Sequence, residues 1–377
     1  MKKKILKNID WGIFICCILL SIIGMIALFS ATYDSEDTSL QRQLIWFVIC
    51  IPVVFIIIFI DYEAIAKISP ILYGIVLILL VIVLFTDPVN GATSWFNLGF
   101  LSIQPAEFAK IAVILFLALV LCKIQEKGKN EINRPTKLLI ALAVVAIPVL
   151  LIIKQPDYGT AAAFLVATVM ILFTAGINKK YIIGTILLVV IAVPLLYFFV
   201  LPEHAKDRIE VFLNPESDPR GSGYNLTQSK LAIGAGQLTG MGLLKGNQTQ
   251  LGFLYPKTTD FIFSVIGEEM GFIVAGSVII IYVILITKSI YVAKTAKDDL
   301  GTYIAIGIAG IFLFHMVENI GMTMGLLPIT GVPLPFVSYG GSSIVTTFLL
   351  FSIIQGLYII KRNDEEEMEC IFTFYDQ

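Results

Sequence analysis

Charge is scarce in this 377-residue chain: 14% of its residues are Asp, Glu, Lys or Arg, against about one-quarter in ordinary soluble domains. With 57% hydrophobic residues and a mean hydropathy of +0.89, that scarcity excludes a soluble globule and points to a polytopic membrane protein. An excess of basic residues is missing too, since 26 Lys and Arg stand against 28 Asp and Glu, and nothing suggests nucleic-acid binding. Cysteine is sparse, and none of Cys16, Cys17, Cys50, Cys122 and Cys370 is spaced as a CxxC, which argues against disulfide or zinc chemistry. No glycine-rich phosphate fingerprint is present, because Gly234, Gly236 and Gly240 have the wrong spacing and follow no strand. Those glycines read as turns and close packing, or as backbone amides facing an anionic ligand. The basic start (Lys2, Lys3, Lys4, Lys7) leads into an apolar run with no small-residue cleavage site, so it reads as a retained first span rather than a removed signal peptide.

What the chain has in abundance is long apolar runs. Ten are long enough to cross a bilayer, at about 11–31, 43–60, 70–86, 105–124, 137–153, 159–178, 181–201, 260–287, 301–324 and 341–360. An even number puts both termini on one side. Alternate connections carry Lys67; Lys123, Lys127, Lys129, Arg134 and Lys137; Lys179 and Lys180; Lys288, Lys294 and Lys297. With the basic start and Lys361 and Arg362, these make 17 of the 26 basic residues. The other connections hold little basic charge beyond Arg42 and Lys154, and Asp34, Glu36 and Asp37 lie there. By the positive-inside rule both ends are expected in the cytoplasm. The expected architecture is therefore all-α, with ten transmembrane helices, one long outer segment at about 202–259 between spans seven and eight, and an acidic, solvated cytoplasmic tail over 363–377.

Several charged residues fall where an apolar span begins. Asp260 falls at the first turn of the eighth span, half solvated and half desolvated, with Glu268 about 12 Å further along the helix axis and Glu269 next to it. Ionisable groups inside a membrane are costly and mark a site or pathway by default. An N-cap followed by a buried hydrogen-bonding knot accounts for this stretch equally well. Glu107 and Lys110 share one face of span four, behind Gln104 and Pro105, and serve either a ligand or an internal ion pair that locks neighbouring helices. Asp157 opens span six. His315, Glu318 and Asn319 share one face of span nine and are expected to form a packed polar knot, since one His and one Glu are too few ligands for a metal. The outer segment 202–259 is too long to be idle and carries Asp207, Arg208, Glu210, Arg220 and Lys230. Between spans nine and ten, Leu327–Ser343 holds three prolines and three glycines. Such non-helical backbone at membrane depth is tolerated only where it is buried in protein or lines a wet cavity.

In this order, Gln104-Pro-Ala-Glu107 with Lys110, Gln155-Pro-Asp157-x-Gly-Thr160, Asn214-Pro-Glu-Ser-Asp-Pro with Tyr224 and Gln228-Ser-Lys230, Thr259-Asp-Phe-Ile-Phe263 with Glu268-Glu269-x-Gly271, and Gly325 through Ser343 closely resemble the SEDS family (shape, elongation, division, sporulation). The likeness covers nearly the whole chain. Asn214–Pro219 and Gln248-Thr-Gln250-Leu-Gly-Phe resemble the elongation branch more than the division branch. The resemblance implies a SEDS glycosyltransferase domain over residues 1–362. It would polymerise lipid II at the outer face of the bacterial plasma membrane, with a class B penicillin-binding protein as transpeptidase partner within the elongation or division machinery. It makes Asp260 the catalytic residue and places substrate contacts among Glu107, Lys110, Asp157, Arg208, Lys230, Glu268, Glu269, Ser338 and Ser342. Joining a sugar hydroxyl to an anomeric carbon that bears a lipid pyrophosphate needs a base at the hydroxyl and positive charge at the phosphates. Asp260 fits the base. Lys110, Arg208, Arg220, Lys230 or a divalent cation (magnesium or manganese) fits the charge. Two departures stand out: Thr93-Ser94-Trp95 lacks the basic residue common before the tryptophan, and Lys257-Thr-Thr replaces a stretch that usually holds a histidine, which argues that this position is not the proton acceptor. From other classes, a lipid flippase or transporter also uses intramembrane charges and broken helices, and a scaffold of the elongation or division machinery would merely dock a partner. Against the transporter stand the lack of an internal repeat and the clustering of charge toward one face.

Overall fold

In hydrocarbon the backbone must satisfy its own hydrogen bonds, so long apolar runs become helices. The computed structural model describes residues 7–33, 36–88, 92–97, 99, 102–185, 187 and 203–375. Nine of the ten expected spans coincide with helices: α1 Trp11–Thr32, α2 Ser39–Phe59, α3 Tyr62–Ile82, α4 Pro105–Gln125, α5 Pro135–Lys154, α6 Tyr158–Thr174, then, beyond the long segment, α10 Ile262–Lys294, α11 Asp299–Thr323 and α12 Gly341–Tyr375. Among the described residues, seven helices are long and apolar enough to cross a membrane, which makes this a multi-pass membrane protein. The apolar α4, which carries Glu107 and Lys110 inside the bundle, and the 17-residue α6 are not among those seven. The run at 181–201 falls largely outside the described residues. Before α4, a two-residue strand β1 (Phe96–Asn97) pairs antiparallel with β2 (Ser102–Ile103).

Helix α11 is the central post. In its apolar window 72% of residues are buried, against 17% for α2, whose exposed Ile45, Val48, Phe55 and Ile56 form an apolar outer face. Around α11 pack α6, α10 and α4, while α12 rests on α2, and α1 on α10. Small residues let these helices approach: a β-carbon at Gly310 would stand 2.9 Å from the Cα of Ala167 on α6.

Charged groups sort to the two ends. At one end Lys288 pairs with Asp10 (2.9 Å), Lys129 with Asp299 (3.2 Å), Lys297 with Asp364 (3.1 Å) and Lys7 with Glu366 (3.1 Å). These join four of the basic segments expected on one side. Two segments carry more structure than their composition suggests. The tail after residue 363 continues α12 as helix, and Asp364 and Glu366 dock on other basic segments; helical spacing and the facing lysines override its polar composition. The long segment is not bare loop: it contains α7 Glu203–Leu213, α8 Ser222–Ala235 and the one-turn α9 Asn247–Gln250.

Helix α10 is also not continuous. At Gly271 the backbone turns to φ 78°, ψ −178°, a conformation open to glycine, and a β-carbon there would stand 2.2 Å from the backbone nitrogen of Gly240. The break frees helix groups, and the segment after α8 takes them up. Met241 N–H donates to Glu268 O (2.9 Å) and Gly242 N–H to Glu269 O (3.0 Å), while Phe272 N–H donates to Gln237 O (2.8 Å) and Ile273 N–H to Leu238 O (3.1 Å).

Candidate active site

Proline at the first position of α4 starts that helix where β2 ends, which buries Glu107 and Lys110 one turn inside the bundle. They form the internal ion pair left open by the sequence, Lys110 Nζ to Glu107 Oε1 at 2.8 Å. Thr346 Oγ1 of α12 donates to Glu107 Oε2 (2.8 Å), and Lys110 Nζ lies 3.0 Å from His315 Nε2 of α11. His315 Nδ1 lies 2.9 Å from Pro333 O. A carbonyl only accepts, so Nδ1 carries the proton and Nε2 accepts from Lys110. A buried pair stripped of water is held only if its remaining bonds are made, and here they are.

Asp157 caps α6 through Oδ1 (Thr160 N–H, 3.1 Å), and its Oδ2 accepts from Gln104 Nε2 (2.8 Å). The starts of α4 and α6 are thereby tied together. Burial pushes the Asp157 carboxyl above the ordinary aspartate range, against the lowering effect of its bonds to Thr160.

The expected polar knot on α11 is instead three separate ties to the proline-rich connection before α12. Besides the His315 bond to Pro333, Thr330 Oγ1 donates to Glu318 Oε1 (2.8 Å), and Asn319 Nδ2 donates both to Val332 O (2.8 Å) and to the backbone carbonyl of Asp260 (3.0 Å). Residues at i, i+3 and i+4 face one way, and what they face is irregular backbone whose carbonyls need donors. Asp260, just before α10, sits in the recess so formed. A β-carbon on Gly331 would lie 3.3 Å from its Oδ2. Arg208 of α7 reaches the same place, with Nη1 3.5 Å from Thr330 O. Asp260 is partly exposed; burial is nevertheless the largest influence on its carboxyl and raises it above the ordinary aspartate value, while a Thr259 hydrogen bond and the Arg208 charge pull it down.

The other expected substrate contacts divide. Ser338 Oγ donates to Thr259 O (2.7 Å) and accepts from Leu334 N–H (2.9 Å). Ser342 Oγ accepts from Gln104 N–H (3.0 Å) and donates to Ser102 O (3.3 Å). Both serines pin backbone around the recess. Glu268 accepts from Gln248 N–H (2.7 Å), Thr249 N–H (3.0 Å) and Thr249 Oγ1 (2.6 Å), and Glu269 from Leu244 N–H (3.2 Å), Gly246 N–H (3.3 Å) and Gln250 Nε2 (2.7 Å). Their acceptor capacity goes to the outer segment, not to the Asp260 recess. Lys230 and Arg220 are exposed, and among the described residues no hydrogen bond or ion pair joins either to Asp260. Nor do any three His, Cys, Asp or Glu among the described residues stand close enough to hold a metal ion. Sequence reasoning missed Gln104, Thr330, Gly331 and Thr346 as members of the site, and Asn319 as the holder of Asp260. The signal for Asn319 was its place on the His315 face of α11.

The sequence and the fold have counterparts. The peptidoglycan glycosyltransferase MrdB of Escherichia coli K12 is 38% identical over 301 residues, covering 78% of this chain and 78% of that protein. A chain of a peptidoglycan synthase complex, described for its structural coordination of polymerization and crosslinking, superposes with a TM-score of 0.80 at 27% identity, covering 94% of this chain and 98% of that one. The crystal structure of the rod shape determining protein RodA of Thermus thermophilus gives a TM-score of 0.69 at 25% identity, covering 93% and 96%. The profile of the cell cycle protein family FtsW/RodA/SpoVE matches residues 10–363. With its helical bundle and a family match over residues 10–363, this chain belongs to the FtsW/RodA/SpoVE family of cell cycle proteins.

Proposed function

We propose that this chain is a peptidoglycan glycosyltransferase that polymerises lipid II, a disaccharide-peptide on undecaprenyl pyrophosphate, at the outer face of the bacterial plasma membrane during cell elongation. The observation that carries the reading is Asp260: a partly exposed carboxyl with a raised pKa, held by backbone ties at one end of the bundle with Arg208 beside it. The relatives named as peptidoglycan glycosyltransferases support it.

A sugar hydroxyl attacks the anomeric carbon of a lipid-linked donor. The new oxygen–carbon bond forms as the bond from that carbon to the phosphate oxygen breaks, and the electron pair leaves on the pyrophosphate. The hydroxyl proton passes to Asp260, whose raised pKa makes it a stronger base than an ordinary aspartate. Arg208 answers the charge that develops on the pyrophosphate, with Lys230 and Arg220 on the approach. The buried Glu107–Lys110 pair and Asp157 hold the helix ends that shape the recess. A magnesium or manganese ion enters the proposal only as a companion of the pyrophosphate, and no step is assigned to it. The topology proposed has ten spans with both termini cytoplasmic, and the transpeptidase partner is a class B penicillin-binding protein.

The test is lipid II polymerisation in liposomes by the purified chain, with and without a cognate penicillin-binding protein whose catalytic serine is disabled. Wild type should make glycan strands and Asp260→Asn should make none while remaining folded. Full polymerisation by Asp260→Asn would remove the assigned base. Transbilayer movement of lipid II without polymer under any partner or metal condition would replace the enzyme by a transporter.

A further inference from the structure

We propose that residues 237–255 are a membrane-inserted platform, seated in the lipid leaflet on the Asp260 side with their apolar side chains against acyl chains. Depth is the first argument. Lys288 and Asp10 pair at the opposite end of the bundle (2.9 Å), and Asp10 caps α1 there, so the two mark one membrane border. From residue 288 back to 272, the unbroken part of α10 beyond Gly271, is sixteen residues, about 24 Å of helix, against about 30 Å for a hydrocarbon core. Phe272 and Ile273 therefore lie roughly 6–8 Å inside the other border. Residues 237–242 share backbone hydrogen bonds with Glu268, Glu269, Phe272 and Ile273. That fixes their backbone at the same depth.

The second argument is how the segment presents its groups. Irregular backbone at this level is tolerated only if the protein satisfies it. Glu268 and Glu269, buried beneath the segment, accept four of its backbone N–H groups, those of Leu244, Gly246, Gln248 and Thr249. The opposite side is apolar and uncovered: Leu238 is 66% exposed, Leu251 66% and Tyr255 68%, with Leu243 and Phe253 exposed beside them. Five large apolar side chains facing water on so short a stretch would be a liability. Here they continue the exposed Phe272 and Ile273 of α10, the bundle's own lipid-facing surface. Phenylalanine and tyrosine suit the interface, and the exposed Lys245 can reach lipid phosphate while its stem stays among the chains. An amphipathic layer that sinks about 5–10 Å into the interface is the depth such surfaces occupy.

The test uses the full chain in phosphatidylcholine liposomes, with Leu251→Trp, Phe253→Trp, Tyr255→Trp and, as control, the exposed Ser217→Trp. Each is read above the baseline set by the native Trp11, Trp46 and Trp95. Lipids brominated on the acyl chains should quench the added signal at 251, 253 and 255 several-fold more than at 217, and aqueous iodide should show the reverse order. Iodide quenching at 251–255 equal to that at 217 would place the segment in water and overturn the proposal. Protection from both quenchers would overturn it as well, by putting another protein surface over the patch.

Discussion

Asn319 spends both protons of its side-chain amide on backbone carbonyls, that of Asp260 at 3.0 Å and that of Val332 at 2.8 Å. One fully buried side chain on the central helix therefore fixes the distance between the candidate base and the proline-rich wall of its recess. Asn319→Ala removes both bonds, at about 1–3 kcal/mol for each buried acceptor left unpaired. Polymerisation by this variant should fall at least tenfold in kcat with the acid limb of the pH profile unmoved. A variant that loses activity only in proportion to its folded fraction, measured by size-exclusion and thermal melting, would make Asn319 merely structural.

The pH dependence should follow Asp260. A base works as the carboxylate, so activity should rise with pH through a midpoint above the ordinary aspartate value of about 3.9, because burial raises this carboxyl. The Arg208 charge favours the carboxylate and lowers the midpoint. Arg208→Gln should therefore move the acid limb to higher pH, and Arg208→Lys should restore most of the shift. Initial rates across a pH series at saturating lipid II check the sign.

The same raised pKa affects stability. The folded state binds the Asp260 proton more tightly than the unfolded chain, so stability declines as pH rises from the ordinary aspartate value to the raised one. Asp260→Asn never ionises and should escape that decline. Its melting temperature in detergent should exceed that of wild type at neutral pH, and the gap should narrow in acid.

Lys110→Met strands the buried Glu107 carboxylate and should cost about 3–5 kcal/mol. Glu107→Gln combined with Lys110→Met leaves no lone charge and should recover a substantial part. Thermal unfolding of the two single variants and the double variant gives the coupling directly; simple additivity would mean that the pair contributes little to holding α4.

Glu268→Gln replaces an acceptor of three donors by an amide that must turn its NH2 toward one of them. Amide hydrogen exchange at 246–250 should speed up by at least tenfold while exchange within α11 stays unchanged.

The span pattern and the charged residues at span entrances were legible because cost marks them: a carboxylate or lysine beside hydrocarbon is rare enough to stand out from composition alone. Glu107 and Lys110 could be paired from their spacing. His315, Glu318 and Asn319 could be put on one face, but not assigned to three different carbonyl and hydroxyl partners, because those partners lie on another segment and their positions depend on the turn at Gly331. For Glu268 and Glu269 the sequence left a ligand and a buried hydrogen-bonding knot equally open, for a similar reason. Buried carboxylates invite a ligand, and here the ligand is the chain's own backbone twenty residues earlier. The break at Gly271 left no trace in the periodicity, since glycine inside an apolar run is ordinary in membrane helices.

The break has a consequence for the order of assembly. At Gly271, the carbonyls of Glu268 and Glu269 and the amides of Phe272 and Ile273 pair with residues 237–242, which precede α10 in the chain. An α10 inserted alone would carry those groups into hydrocarbon unpaired, at several kcal/mol each. The segment and the helix must therefore enter the bilayer as one hairpin-like unit, the earlier residues acting as an internal template for the span that follows.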